Sequence, residues 1–189
     1  MDNKLKIINY LGKHNNRVFT MHELSIAIEI PYATFHRTIN KMAGLVNMQK
    51  IGKSKTISLN KGSAAVKPYL AISSEEEKKE YLKKQPIISK IASELNTDNI
   101  VVLFGSYAKG TEDESSDVDI LIINKDGNSS LSFSKYELLF KKKINPIFFT
   151  KSEFKRMLRE NGENVGRQAL KSHIILNNSE GFWEEVLHA

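Results

Sequence analysis

Cysteine is absent from this chain of 189 residues. Its absence excludes disulfides, thiol nucleophiles and cysteine metal ligands together. Long apolar runs are missing too: none approaches the roughly 18 residues of a membrane-spanning helix, and the N-terminus lacks the apolar core of a signal peptide. Because 40% of the residues are hydrophobic, real cores can form. We therefore expect a folded, soluble, cytoplasmic protein with no membrane partner.

Acidic residues are scarce in the first third of the chain. Residues 1–70 contain 11 Lys or Arg and 3 Asp or Glu, a net charge of +8, whereas the remainder contains 17 basic and 19 acidic residues, a net charge of −2. A positive excess confined to one segment is typical of a module that binds a polyanion. We predict a first domain over 1–65, a helical connector over 66–85 and a second domain over 86–189.

In the first module, apolar residues recur at helical spacing and then, towards its end, alternate with polar residues. Its sequence predicts a helix near 4–11, a second helix starting at the capping box Thr20–Glu23, and a third over Tyr32–Met42. Residues 46–59 alternate in two segments around Gly52, which predicts a hairpin. This order resembles a winged helix-turn-helix domain, in which the third helix enters the major groove of DNA and the hairpin contacts the backbone.

The winged-helix resemblance implies binding to double-stranded DNA. The residues that it places against bases or phosphates are Thr34, Arg37, Lys41, Lys50, Lys53 and Lys55. Lysines beside phosphates release counterions and so raise affinity. A homodimer would follow if the DNA site is a palindrome. The alternative is a small dimerisation or protein-docking domain whose lysines are simply solvated.

The connector contains two signals for a helix start. Ser74 to Glu77 has the capping-box pattern, with acidic residues where the helix dipole favours them. Pro86 can occupy the first turn of a further helix. We therefore expect helices to begin near both positions.

Two apolar segments of the second module flank a polar stretch. Residues 99–104 are β-branched and apolar, which predicts a buried strand, and Gly105, Ser106 and a short helix follow. A glycine allows close approach of the backbone, and N–H groups with a hydroxyl at a helix start suit phosphate oxygens. Lys109 could add a phosphate contact, although a solvated lysine on the helix surface is the simpler interpretation.

The second apolar segment, 117–123, begins with Asp117 and Asp119. In a strand these two side chains point to the same face. Adjacent carboxylates repel each other unless a cation lies between them, and hard oxygen ligands favour Mg²⁺. A phosphate-binding turn beside this acidic pair predicts a site for a nucleoside triphosphate.

Gly105-Ser106, a ten-residue spacer and Asp117-Val118-Asp119 resemble the signature of the minimal nucleotidyltransferases of the polymerase-beta superfamily. The segment 168–183 is similar to their closing helix, strand and aromatic end, so the resemblance covers about 86–188. It implies an α/β (α+β) domain with a small mixed sheet flanked by helices.

The same resemblance implies transfer of AMP from ATP to a hydroxyl group, with release of pyrophosphate. Gly105 and Ser106 would hold the β- and γ-phosphates, and Asp117 and Asp119 would hold two Mg²⁺ ions that bridge the attacking and leaving oxygens. Proteins of this kind include antitoxins that adenylylate a HEPN-type RNase toxin and repress their own operon.

One position departs from the family pattern. The family usually carries a third carboxylate on a later strand, which corresponds here to 143–150, and the matching residue is Asn145. An amide has no charge and cannot take a proton. We therefore assign Asp117, Asp119 and Asn145 as the catalytic set and expect an incomplete two-metal site. Pro146 indicates an edge strand or a bulge. Acidic residues that could substitute are Asp113, Glu114, Glu137 and Glu153.

Three hypotheses remain open from the sequence. The first is a nucleotidyltransferase with a DNA-binding domain. The second is a transcription regulator whose nucleotidyltransferase fold binds nucleotide with little or no turnover, which Asn145 favours. The third is a structural interaction protein, for which Ser106, Asp117 and Asp119 would have to be coincidental.

Overall fold

The computed structural model describes residues 1–52 and 54–189. The chain divides into two compact units, Met1–Ser73 and Ser74–Ala189. Both combine helices with a small sheet, so the predicted α/β class is confirmed. Among the described residues, no helix is long and apolar enough to cross a membrane.

The first unit packs three helices against a three-stranded antiparallel sheet of order β1-β3-β2. Its elements are α1 Asn3–Lys13, β1 Phe19–Thr20, α2 Met21–Ala27, α3 Tyr32–Ile39, β2 Val46–Ile51 and β3 Ser54–Leu59. The core side chains at its centre are fully buried apolar residues, among them Ile7, Leu11, Leu24, Phe35, Ile39 and Ile57.

The predicted start of the second helix is confirmed, and the predicted end of the third helix is wrong. The capping box of α2 is present, because Thr20 Oγ1 accepts the Glu23 N–H at 3.1 Å and Glu23 Oε2 accepts the Thr20 N–H at 3.4 Å. The prediction that the third helix continues to Met42 is wrong, since α3 ends at Ile39. There the N–H groups of Lys41 and Met42 bond to carbonyls three residues back, and the chain turns away.

The prediction that a helix begins at Ser74 is wrong, because helix α4 spans Val66–Leu82. The helix begins eight residues earlier, and Pro68 lies in its first turn, where a missing N–H costs little. Ser74 is buried inside the helix, and its Oγ accepts a hydrogen bond from Trp183 Nε1 at 2.9 Å. Its hydroxyl therefore serves a core tryptophan and caps nothing.

The second unit is built on a four-stranded sheet of order β6-β5-β4-β7. Strand β5 pairs parallel with β6 and antiparallel with β4, so the predicted mixed sheet is confirmed. Its elements are α5 Pro86–Ser93, β4 Ile100–Phe104, α6 Gly105–Lys109, β5 Val118–Asn124, α7 Ser134–Phe140, β6 Ile144–Thr150, α8 Lys151–Arg159, α9 Val165–Lys171, β7 Ile174–Asn177 and α10 Ser179–Leu187.

Helices cover both faces of this sheet, which is why β4 is buried throughout. Ile88 and Ile91 of α5 pack with one set of alternating strand residues, and α8 and α10 contact the strands as well. Pro86 lies in the first turn of α5, as predicted. Strand β6 lies at the edge of the sheet, which is one of the two arrangements that Pro146 indicated. The C-terminal end of β4 and the starts of β5 and β6 meet at one end of the sheet, and the candidate site lies there.

Candidate active site

Gly105 follows β4 in a left-handed conformation with φ of +73°. Phe104 pairs with Asp119 across the antiparallel β4–β5 ladder, so the next residue meets the acidic strand directly. An added Cβ at Gly105 would lie 2.3 Å from Asp119 Oδ2. The space that a side chain would need is therefore taken by a carboxylate of the predicted site, and the backbone angle alone already favours glycine.

Ser106 and Lys109 lie on the short helix α6. Ser106 is partly buried directly after Gly105, and within the described part of the chain its hydroxyl has no hydrogen-bond partner. It is thus available to an incoming oxygen ligand. Lys109 is exposed at the last position of α6.

The register of β5 and β6 brings the predicted catalytic residues together. Asp119 lies directly opposite Asn145 in the parallel ladder. Asn145 Nδ2 donates a hydrogen bond to Asp119 Oδ1 at 3.1 Å. Because a carboxylate only accepts, the amide presents its N–H group to Asp119 and its oxygen elsewhere. Asn145 therefore orients Asp119.

Lys143 is a site residue that the sequence did not reveal. Its Nζ donates a hydrogen bond to Asp117 Oδ2 at 2.9 Å. This bond and the charge of Asp117 raise the pKa of Lys143, with smaller contributions from the charges of Asp119 and Glu137. Its position two residues before Asn145 mirrors the spacing of the two aspartates, but only the pairing register of β5 and β6 shows that the two pairs face each other. Each carboxylate of the pair thus has a partner from the β6 side.

Three of the four acidic residues considered as substitutes for a third carboxylate have other contacts. Glu137 Oε1 accepts the N–H of Ile144 at 2.9 Å, and Glu153 completes the capping box of α8. Asp113 accepts hydrogen bonds from two serines of its own loop, and Glu114 is exposed. In residues 1–52 and 54–189, no group of three His, Cys, Asp or Glu side chains could hold a metal ion.

These oxygen donors fit one divalent ion better than two. Asp117 and Asp119 supply hard carboxylate ligands at the end of the sheet where β5 begins. Gly105 and Asn145 contact the Asp119 carboxylate and fix its position. Mg²⁺ is commonly held by one or two carboxylates together with the phosphates of a substrate. A second ion would need a further ligand, and the side chain opposite Asp119 is an amide.

Tyr81 of α4 and Gln85, just before α5, contact the segment between β4 and β5. The Tyr81 hydroxyl donates to the Tyr107 carbonyl at 2.9 Å, and Gln85 Nε2 donates to Glu112 Oε1 at 2.5 Å. Burial, together with the nearby charge of Glu112, raises the pKa of Tyr81, so its phenol stays protonated and donates. Sequence patterns gave no sign of these long-range contacts.

Of the residues predicted to bind DNA, those that the structure describes lie on α3, just after it, on β2 and on β3. Arg37 and Lys41 are exposed, and Thr34 is partly buried. Together with Thr38 and Lys4 of α1, they line a depression of about 310 Å³. Lys4 is an addition of the structure, since the sequence did not single it out.

On the hairpin, Lys50 is exposed on β2 and Lys55 is exposed on β3. Lys55 also lines a second depression of about 400 Å³ that contains His22, Tyr32 and His36. Lys53 lies outside the described residues.

With this geometry established, comparison with known proteins places the chain in a class. Residues 85–176 match the family model described as "Nucleotidyltransferase domain", and this range contains the Gly105, Asp117, Asp119 and Asn145 positions. A Methanocaldococcus jannaschii protein named "Putative protein adenylyltransferase" is 38% identical over 73 residues, which cover 35% of this chain and 73% of that protein. No solved structure matches the chain. The chain belongs to the nucleotidyltransferase family, and nucleotidyl transfer is its class of activity.

Proposed function

We propose that this nucleotidyltransferase transfers AMP from ATP to a hydroxyl group of a protein partner. The observation that carries the proposal is the convergence of Asp117 and Asp119 with the turn at Gly105 and Ser106 inside the matched domain. The name of the archaeal relative supports AMP as the transferred group and a protein as the acceptor. A HEPN-type RNase toxin, implied by the sequence resemblance, stays a prediction of that partner.

The proposed reaction exchanges a phosphoanhydride bond of ATP for a phosphoester bond to the acceptor. The acceptor oxygen forms a bond to the α-phosphorus of ATP, and the bond from that phosphorus to the oxygen bridging the α- and β-phosphates breaks. Pyrophosphate leaves with the bond electrons. The acceptor's proton must pass to a carboxylate or to water, because the amide of Asn145 cannot accept it.

The residues of the site divide this work among them. The backbone and hydroxyl of Gly105 and Ser106 would bind phosphate oxygens, and Asp117 and Asp119 would hold Mg²⁺. A bound divalent ion supplies positive charge that stabilises the charge developing on the phosphate oxygens. Asn145 keeps Asp119 oriented through its 3.1 Å hydrogen bond.

Transfer of label from α-labelled ATP tests this proposal. With Mg²⁺ and a cell lysate as the source of acceptors, the wild type should label a protein, and Asp117→Ala should abolish that labelling. Glu114→Ala is the matched control, because it removes an exposed carboxylate of the same loop without touching the pair. Equal labelling by wild type and Asp117→Ala would contradict the assignment of the site.

A second candidate function is regulation by nucleotide binding without turnover. The amide at Asn145 favours it, since a proton-accepting third carboxylate is missing. This protein would bind Mg-ATP but would release no pyrophosphate with any acceptor. Measured binding together with absent pyrophosphate release would therefore select the second function over the first.

We also propose that the first unit binds double-stranded DNA in the manner of a winged helix. Its three helices, its hairpin and the exposed Arg37, Lys41, Lys50 and Lys55 support this proposal, as does the net charge of +8 over residues 1–70. The alternative of a dimerisation or protein-docking domain would leave the basic residues without a common purpose.

A salt titration tests DNA binding. Replacing Arg37 and Lys41 by alanine should weaken binding and reduce the slope of log K against log salt by about 2, since each phosphate contact contributes about 0.9. The double variant Lys83→Ala, Lys84→Ala is the control, because it removes the same charge from exposed positions of the second unit. Affinity that is unchanged in the first variant would rule out this surface.

A further inference from the structure

Lys143 and Asn145, around the start of β6, lie opposite Asp117 and Asp119, around the start of β5. The parallel register pairs Asp119 with Asn145 and Val118 with Ile144, and one step earlier it brings Asp117 beside Lys143. The ammonium of Lys143 is 2.9 Å from Asp117 Oδ2. Where the sequence resemblance implies a further carboxylate for a second ion, this chain has an amide and, two residues before it, a cation.

The charges of these side chains decide how many divalent ions they can hold. Two carboxylates and one ammonium sum to a single negative charge. A second divalent ion near Asp117 would meet the positive charge of Lys143 and would find no additional carboxylate. One ion shared with the phosphates of ATP meets no such obstacle, because the phosphates bring their own negative charge.

Lys143 is singled out among three consecutive lysines. Lys142 Nζ donates to the backbone carbonyls of Asp113 and Glu114, and Lys141 is exposed in a left-handed conformation after α7. Lys143 alone of the three contacts a carboxylate of the site. Its contact therefore follows from its strand position and not from the basic composition of the segment.

We propose that the ammonium of Lys143 takes the place of the second divalent ion, so that the site works with one ion and one lysine. Lys143 acts through Asp117 and is a positioning residue for the reaction. This inference rests on the proposed function, because it assumes that the acidic pair binds a divalent ion with a nucleotide. It also predicts that the lysine competes with divalent ions for Asp117.

Titration with Mn²⁺, in the presence of a non-hydrolysable ATP analogue, measures both affinity and the number of ions bound. The wild type should bind one ion. Lys143→Met should bind it about three- to tenfold more tightly, because the competing charge is gone. Lys141→Met is the matched control with the same charge change in the same segment, and its affinity should equal that of the wild type within about twofold.

A second ion should appear only when the lysine is removed and the carboxylate is restored. The double variant Lys143→Met, Asn145→Asp should therefore bind two Mn²⁺ ions, and Asn145→Asp alone should bind one. Two ions in the wild type or in Asn145→Asp alone would overturn the inference, as would an affinity of Lys143→Met equal to that of the wild type.

This experiment distinguishes a failure of the proposed function from a failure of the inference about Lys143. If neither Mn²⁺ nor the ATP analogue binds to any variant, the proposed function is wrong and the inference falls with it. If the wild type binds both but Lys143→Met shows no gain in affinity, the inference alone is wrong and the proposed function stands.

Discussion

At the end of β4, Gly105 adopts φ of +73°, and the Cβ of any other residue would lie 2.3 Å from Asp119 Oδ2. Gly110, five residues later, has φ of +67° and open space around its missing Cβ. The two glycines therefore share a backbone conformation that costs other residues about 1–2 kcal/mol, but only Gly105 touches the acidic pair.

Gly105→Ala should displace the Asp119 carboxylate and lower the affinity for Mg-ATP at least about tenfold, the equivalent of about 1.4 kcal/mol. Gly110→Ala should lose a similar amount of stability and keep nucleotide binding. Calorimetric titration of Mg-ATP, with melting temperatures measured in parallel, separates the two effects. Equal loss of nucleotide binding in both variants would show that backbone strain, and not the overlap with Asp119, is responsible.

At the residue scale, the sequence predicted the members of the site that are encoded by short motifs. Gly105, Ser106, Asp117 and Asp119 stand at a fixed spacing between two apolar segments, so local patterns suffice to find them. Lys143 could not be found in this way, because its role depends on the pairing register of β5 and β6.

At the scale of elements, two copies of the same capping pattern have different outcomes. Thr20 caps α2 as predicted, whereas Ser74 lies inside α4. The pattern at Ser74 fails because residues 66–73 are themselves helical, so its backbone needs no cap. Tertiary packing then gives its hydroxyl another partner, the indole of Trp183, which is completely buried.

Ser74→Ala should destabilise the protein by about 1–3 kcal/mol, because it leaves the buried Nε1–H of Trp183 without an acceptor. Ser73→Ala is the matched control: the Ser73 hydroxyl bonds only to the Leu70 carbonyl one turn back, and its loss should be nearly neutral. Urea unfolding followed by the fluorescence of the single tryptophan measures both. Equal stability of the two variants would contradict the role given to Ser74.

Helices α8 and α10 are joined by a buried carboxylate between two lysines. Glu185 of α10 is 4% exposed and lies 2.9 Å from the ammonium groups of both Lys151 and Lys155 of α8. Burial by itself raises the pKa of Glu185, but the hydrogen bonds and charges of the two lysines outweigh it and leave the pKa below its ordinary value of 4.5.

Because the folded-state pKa of Glu185 is lowered, its contribution to stability is complete above pH 4.5 and is lost as the pH falls through the folded-state value. Glu185→Gln should destabilise the protein by about 1–3 kcal/mol at pH 7 and weaken this acid dependence. Glu180→Gln, an exposed change on the same helix, should stay within about 0.5 kcal/mol. Urea unfolding at pH 7 and pH 4 distinguishes them, and identical pH profiles of wild type and Glu185→Gln would contradict the assignment.

At the scale of the whole molecule, the excess of positive charge and the nucleotidyltransferase domain lie in different parts of the chain. The net positive charge belongs to the first 70 residues, and the family match covers residues 85–176. The strands β4 and β5 were predictable from apolar segments, whereas the mixed sheet was expected only from the family resemblance. The contacts of α4 with the site loop were not, because Tyr81 and Tyr107 are brought together only by the folded second unit.

The central claim is that the Gly105–Ser106 turn and the Asp117–Asp119 pair form a site for Mg-ATP. Its most direct test is calorimetric titration of ATP into wild type and Asp117→Ala, once with Mg²⁺ and once with EDTA. We expect binding by the wild type with Mg²⁺ that is lost with EDTA and lost in Asp117→Ala. Absence of binding by the wild type under both conditions, or equal binding by both proteins, would contradict the account.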